Sequence, residues 1–102
     1  MERMCYEFTI RPGTESEYDR RHAELPRELA DTIAAAGFTN YSLFRRATRV
    51  VVYGECVPDV ETAFARLEGS AVVKRWAAYG AEVIDHMPDG RGDRFAEVWH
   101  LD

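Results

Sequence analysis

The chain has 102 residues, of which 46% are hydrophobic and 30% charged, a composition typical of one ordinary globular domain. Its net charge of -5 argues against a basic face, so neither nucleic acid nor a membrane surface is an expected partner. No basic-then-apolar leader opens the sequence, and no apolar run approaches the roughly 18 residues of a membrane span. We therefore expect a cytoplasmic protein.

The residues that commonly bind metals or activate nucleophiles are few and scattered. Cys5 and Cys56 fit neither a CxxC redox pair nor a zinc knuckle, and we expect both to be buried, reduced thiols. His86 and His100 have no partners at metal-ligand spacing, and the sequence contains no GxSxG, GxGxxG or GKS/T motif. No metal, nucleotide or other cofactor is expected.

The first predicted element is a strand from Arg3 to Ile10, in which outward and inward positions alternate. Pro12 and Gly13 end this strand. The residues on its buried face are Met4, Tyr6, Phe8 and Ile10.

A helix is predicted next, opened by a capping box of Thr14 and Glu17 and ended at about Ala36 by the following glycine. Pro26 lacks a backbone N–H and should loosen or kink this helix. At 3.6 residues per turn one stripe should face the sheet rather than solvent. It consists of Tyr18, His22, Leu25, Leu29 and Ile33.

The second half of the chain is predicted to contain a hairpin, a second helical region and a last strand. The runs from Asn40 to Arg46 and from Arg49 to Cys56 predict a hairpin. A helical region follows from Pro58-Asp59 and should break at Gly69-Ser70, with Ser70 capping the second piece. A final alternating strand is predicted from Phe95 to Leu101. Residues 85–94 before it are expected to form a solvent-exposed connection, with a mobile rim over the site as the alternative.

This order of elements predicts an α+β fold of the ferredoxin-like βαββαβ type, with a four-stranded antiparallel sheet and both helices on one face. The opposite face of the sheet would be exposed to solvent unless another surface packs against it, and a second copy of the chain is the simplest partner. We therefore expect a homodimer. The residues expected on that outer face are Cys5, Glu7, Val51, Tyr53, Phe95, Glu97 and Trp99.

Tyr18 and His22 can be either core residues or the wall of a site. Three further amphipathic side chains could converge on them, namely Tyr41, Trp76 and Tyr79. Aromatic residues at helical spacing belong to a core more often than to a site, so the residue pattern alone leaves both interpretations open.

Four stretches resemble the bacterial L-rhamnose mutarotases in order and spacing: EYDRRHAELPREL, GFTNYSLF, VVKRWAAY and FAEVWHLD. The resemblance covers nearly the whole chain. It implies a dimeric ferredoxin-like protein, a dimeric α+β barrel, that interconverts the α and β anomers of a pyranose without a cofactor. The Tyr-x-x-x-His of the first helix, the Asn-Tyr after it and the late tryptophan form a fairly specific combination.

The resemblance also implies roles for individual residues. His22 matches the histidine that acts as proton donor, Tyr18 and Tyr41 match tyrosines that contact the sugar, and Trp76 matches the first of two adjacent tryptophans. Ala77 stands where the family has the second tryptophan, which widens the pocket or removes part of its wall and leaves the identity of the sugar open.

The chemistry of mutarotation suits these residues. Ring opening needs one proton taken from the anomeric hydroxyl and another given to the ring oxygen, and a histidine can do either near neutral pH. The same fold also hosts cofactor-free monooxygenases and haem-degrading enzymes, so the fold by itself does not choose the reaction. A non-catalytic sugar-binding module is a third hypothesis.

Overall fold

The computed structural model describes residues 1–86 and 94–102. In these two ranges four strands and four helices follow one another in the order β-α-α-β-β-α-α-β, which confirms the ferredoxin-like plan with each helical connection divided in two. The elements are β1 (Glu2–Ile10), α1 (Glu15–Ala23), α2 (Arg27–Ala36), β2 (Phe38–Arg46), β3 (Arg49–Cys56), α3 (Val60–Leu67), α4 (Ala71–Val83) and β4 (Ile84–His86).

The strands form one antiparallel sheet in the order β2-β3-β1-β4. Because successive side chains of a strand point to opposite faces, the alternation of β1 and β3 divides the sheet into an inner face under the helices and an outer face. Tyr6 pairs with Val52 and Phe8 with Val50 in register, and all four lie on the inner face. The core forms two clusters there, and Tyr6 packs against both of them.

The sequence predicted a single first helix, and this prediction is wrong, because the structure has two helices there. Pro26 precedes the first residue of α2, a position where its missing N–H costs no intrahelical hydrogen bond. The predicted capping box is absent, because the Thr14 hydroxyl donates to the carbonyl of Arg11 at 2.7 Å. The predicted stripe is confirmed: Tyr18 and Leu29 are buried, and the other members are half-buried.

The part of the chain from β2 to α4 follows the prediction closely. β2 and β3 form the expected hairpin, although β2 begins two residues earlier, at Phe38. The helical region breaks between Leu67 and Ala71, and the Ser70 hydroxyl accepts a hydrogen bond from the N–H of Val73 at 3.3 Å. This is the N-cap predicted for α4.

The predicted last strand is wrong. The fourth strand is the three-residue β4, which follows α4 directly, whereas residues 94–102 form no regular secondary structure and lie outside the sheet. One backbone hydrogen bond, from the N–H of Phe95 to the carbonyl of Cys5 at 2.7 Å, attaches this C-terminal segment to β1. Alternating sequence indicates an extended backbone, but strand pairing also needs a run of backbone groups that face each other.

Cys56 is fully buried as predicted, whereas Cys5 is only half-buried, because its side chain lies on the outer face of β1. Of the predicted connection 85–94, Asp85 and His86 belong to β4, and residues 87–93 lie outside the described part of the chain. Among the helices that the structure describes, none combines the length and the apolar character needed to cross a membrane.

Candidate active site

A cavity of about 280 Å³ opens between the inner face of the sheet and the helices α1 and α4. The cavity brings together all four site residues that the sequence predicted. They are Tyr18, His22, Tyr41 and Trp76, and Ala77 lies beside them. Its walls are mostly apolar, so each polar group in it has a strong influence on what can bind.

Helix α1 positions the histidine. Tyr18 and His22 are one helical turn apart, so their rings stack on one face with centroids 4.3 Å apart. The Nδ1 atom of His22 lies 2.8 Å from the backbone carbonyl oxygen of Tyr18. A carbonyl oxygen can only accept, so Nδ1 carries the proton and Nε2 is the nitrogen of the neutral ring that can take one up.

Helix α4 supplies the opposite wall. The Trp76 ring meets the His22 ring edge-on with centroids 5.1 Å apart, and Tyr79 lies behind Trp76 at 5.6 Å. The guanidinium of Arg21 sits 4.0 Å over the centre of the Tyr79 ring, a cation–π contact that links α1 to α4. The two helices are therefore held together beside the cavity by side chains that also form its wall.

A β-bulge in β2 turns Tyr41 into the cavity. Thr39 pairs with Glu55 and Ser42 with Tyr53, so the two residues between them on β2 face only Gly54 on β3. Asn40 has a φ of 49°, and its side-chain amide donates to the outward-facing carboxylate of Glu55 at 2.9 Å. With Asn40 drawn to the outer face, Tyr41 takes the inward position.

Burial in this region raises the pKa of four tyrosine hydroxyls. The pKa values of Tyr18 and Tyr41 both lie well above the ordinary value, and those of Tyr6 and Tyr79 are also raised, in each case mainly because burial disfavours the phenolate. The hydroxyls therefore remain neutral across the physiological range and can each donate a hydrogen bond to a sugar oxygen.

Gly54 makes room for the Tyr41 ring. A Cβ atom at Gly54 would lie 2.9 Å from Cδ2 of Tyr41, closer than such atoms approach in proteins. We expect Gly54→Ala to displace Tyr41 and to weaken sugar binding by about tenfold, roughly the effect of one lost hydrogen bond. Calorimetric titration with the sugar measures this change.

The control is a double-mutant cycle with Tyr41→Ala. If Gly54→Ala acts through the tyrosine, it should have little further effect once that side chain is gone. Equal effects of Gly54→Ala in both backgrounds would show that the glycine acts on the site by another route.

A larger open groove of about 400 Å³ lies on the far side of Trp76 and Tyr79. Its walls carry several charges, and those charges pair with one another. Arg20 contacts Glu24 at 2.9 Å, and Arg75 lies 3.9 Å from Glu28. Among the described residues, Tyr79 is the one tyrosine of the smaller cavity that also lines the groove, and the groove has no histidine. The smaller cavity is therefore the better candidate for acid–base chemistry.

The model of the family described as L-rhamnose mutarotase matches residues 3–101 of the chain. The chain belongs to the L-rhamnose mutarotase family. The L-rhamnose mutarotase of Burkholderia orbicola is 33% identical over 91 residues, which span 89% of this chain and 88% of that protein. The L-rhamnose mutarotase of Opitutus terrae is 30% identical over 104 residues and covers both chains completely.

The fold of this family member also matches a solved structure. The crystal structure of an L-rhamnose mutarotase from Formosa agariphila superposes with a TM-score of 0.79, covers both chains completely and is 22% identical. The monooxygenase and haem-degradation hypotheses depended on the fold alone, and membership of the L-rhamnose mutarotase family decides against them. In the described ranges, no group of three His, Cys, Asp or Glu residues is placed to hold a metal ion.

Several lining residues escaped sequence reasoning. Leu43, Gly80 and Ile84 complete the apolar wall, and nothing in their sequence context distinguishes them from ordinary core residues. Tyr6 also lines the cavity. A signal for it existed, because Tyr6 is the one inward residue of β1 with a polar group, between Met4 and Phe8.

Proposed function

We propose that this protein is an L-rhamnose mutarotase in which His22 moves protons during opening and closure of the pyranose ring. Membership of the family makes the protein an isomerase that acts on a carbohydrate. The observation that best supports the role of His22 is its place in the cavity wall, with Nδ1 fixed on the Tyr18 carbonyl. That contact holds the ring in one orientation and leaves Nε2 for proton exchange.

The proposed reaction begins with the protonated ring of His22. Nε2 donates its proton to the ring oxygen of the sugar as the bond from C1 to that oxygen breaks. The anomeric hydroxyl loses its proton to water and becomes the aldehyde oxygen. After rotation about the C1–C2 bond the C5 hydroxyl that ring opening produced attacks the other face of the aldehyde, and its proton returns to Nε2. The aldehyde oxygen takes a proton from water and becomes the new anomeric hydroxyl.

We propose that Trp76 binds an apolar C–H face of the sugar, since its indole offers a flat surface in the wall beside His22. Tyr18 and Tyr41 supply neutral hydroxyls for the oxygens of the sugar. The cavity of about 280 Å³ lies just below the usual range for drug-sized ligands, about 300–1,000 Å³, which suits a monosaccharide.

The assay for this function is saturation-transfer NMR across a panel of reducing sugars. We expect L-rhamnose to show the largest increase in the exchange rate of its anomers. Because Ala77 lines the cavity as a small side chain, the panel includes pyranoses with a larger substituent on the ring. Binding of L-rhamnose with no change in its exchange rate would instead identify a non-catalytic sugar-binding module.

We also propose that the protein works as a homodimer in the cytoplasm. Its two cysteines are unpaired, as is usual for proteins of that compartment. Large apolar side chains stand exposed on β2 and on the C-terminal segment, and a second copy of the chain would cover them. They are Phe44, Phe95, Val98, Trp99 and Leu101.

Light scattering tests the homodimer. We expect a mass about twice the 11.7 kDa of one chain. Trp99 keeps 76% of its surface exposed, so Trp99→Ser should favour the monomer, whereas Trp99→Phe, which keeps an aromatic ring, should have less effect. A single-chain mass at every concentration would contradict the proposal.

A further inference from the structure

Tyr6 lies where a phenylalanine would satisfy the packing. Its neighbours on the inner face of β1, Met4 and Phe8, are buried and purely apolar, and its ring packs against both core clusters. The ring therefore accounts for the contribution of Tyr6 to the core. The hydroxyl adds nothing to this packing, and because Tyr6 is only half-buried and lines the cavity, the hydroxyl can serve a bound molecule.

Tyr6 and Tyr41 line the same cavity as His22. Tyr6 lies on β1 and Tyr41 on the bulge of β2, so the two side chains come from strands that are separated by β3.

The chemistry of a hydroxyl decides what Tyr6 can offer to a ligand. A hydroxyl has one donor and two acceptor sites. The Tyr6 hydroxyl thus adds a polar group to the wall of a mostly apolar cavity.

We propose that Tyr6 is a further sugar-binding residue, whose hydroxyl contacts one hydroxyl of the pyranose in the cavity that also holds His22 and Tyr41. The Tyr6 hydroxyl donates to that sugar oxygen. This inference rests on the proposed mutarotase function and extends it to specificity, since a sugar that lacks this hydroxyl leaves the Tyr6 hydroxyl without its partner in a mostly apolar cavity.

The test is Tyr6→Phe, which keeps the ring and removes the hydroxyl. We expect KM for L-rhamnose to rise about two- to tenfold, the effect of one hydrogen bond, with a smaller change in kcat. The ligands are L-rhamnose and its three analogues that each lack one ring hydroxyl other than the anomeric one. For the wild-type protein, KM should be higher for the analogue that lacks the contacted hydroxyl than for L-rhamnose. Tyr6→Phe should remove this difference and leave the differences for the other two analogues unchanged.

The matched control is Tyr53→Phe, which removes a tyrosine hydroxyl from the outer face, where it donates to Glu55 at 2.7 Å. This control should leave KM unchanged. The proposal is overturned if Tyr6→Phe also leaves KM unchanged, or if it weakens all four sugars equally, as a merely structural role would. A wild-type protein that does not speed anomer exchange would contradict the mutarotase function, and calorimetric affinities for the same four sugars would still test the role of Tyr6.

Discussion

Replacing His22 with alanine should slow the catalysed exchange of L-rhamnose anomers by about 10²-fold or more, since general acid–base catalysis typically contributes about 10²–10⁴-fold. The ring is half-buried between Tyr18 and Trp76, and its Nδ1 atom contacts the backbone of its own helix. Alanine therefore removes packing as well as proton transfer. Saturation-transfer NMR measures the rate, and circular dichroism reports whether the fold is kept.

Two further variants separate these effects. His22→Gln retains a polar side chain that cannot exchange protons near neutral pH, so it should be almost as slow as the alanine variant. His100→Gln is the matched control, because His100 lies on the C-terminal segment beside Arg3 and Asp102, away from the cavity. Wild-type exchange rates in either His22 variant would show that another group moves the protons.

Replacing Gly37 with alanine should destabilise the protein by about 2–5 kcal/mol. Gly37 ends α2 with a φ of 114°, and the left-handed conformation costs an alanine about 1–2 kcal/mol. A Cβ atom would also lie 2.2 Å from the carbonyl oxygen of Val57, and overpacking of this kind costs about 1–3 kcal/mol. The N–H of Val57 donates to the carbonyl of Gly37 at 2.9 Å, so the backbones cannot separate without losing that bond.

Gly69→Ala is the control for this prediction. Gly69 has a φ of 87°, yet a Cβ atom there would meet nothing within 4 Å, so only the conformational cost applies. Denaturant unfolding at one fixed protein concentration gives both free energies and avoids the concentration dependence of an oligomer. Equal losses for Gly37→Ala and Gly69→Ala would show that the contact with Val57 is unimportant.

The sequence predicted the parts of the fold that depend on local pattern. The stripe of α1 and α2 follows from helical spacing, which places Tyr18 and His22 toward the sheet whether or not Pro26 divides the helix. The C-terminal segment shows the limit of such reasoning. Its alternation indicates an extended backbone, but Val98 and Trp99 are largely exposed, and the pairing edge of β1 is taken in part by β4.

The sequence predicted those residues of the candidate site that belong to a recognisable motif, and it missed the other lining residues. Tyr41 was singled out by its place after Asn40, yet strict alternation from Phe38 would turn it outward. Only the bulge opposite Gly54 explains its inward position. Tyr6 was placed correctly on the inner face, but its place in one cavity with Tyr41 depends on the arrangement of strands that are far apart in sequence.

The most direct test of the central claim is the exchange rate of L-rhamnose anomers, measured by saturation transfer at several concentrations of the wild-type protein. If the cavity of Tyr18, His22, Tyr41 and Trp76 is the site of mutarotation, the rate should rise in proportion to the concentration of protein and fall toward the uncatalysed value with His22→Gln. A rate equal to that of the free sugar at every concentration of protein would contradict the account.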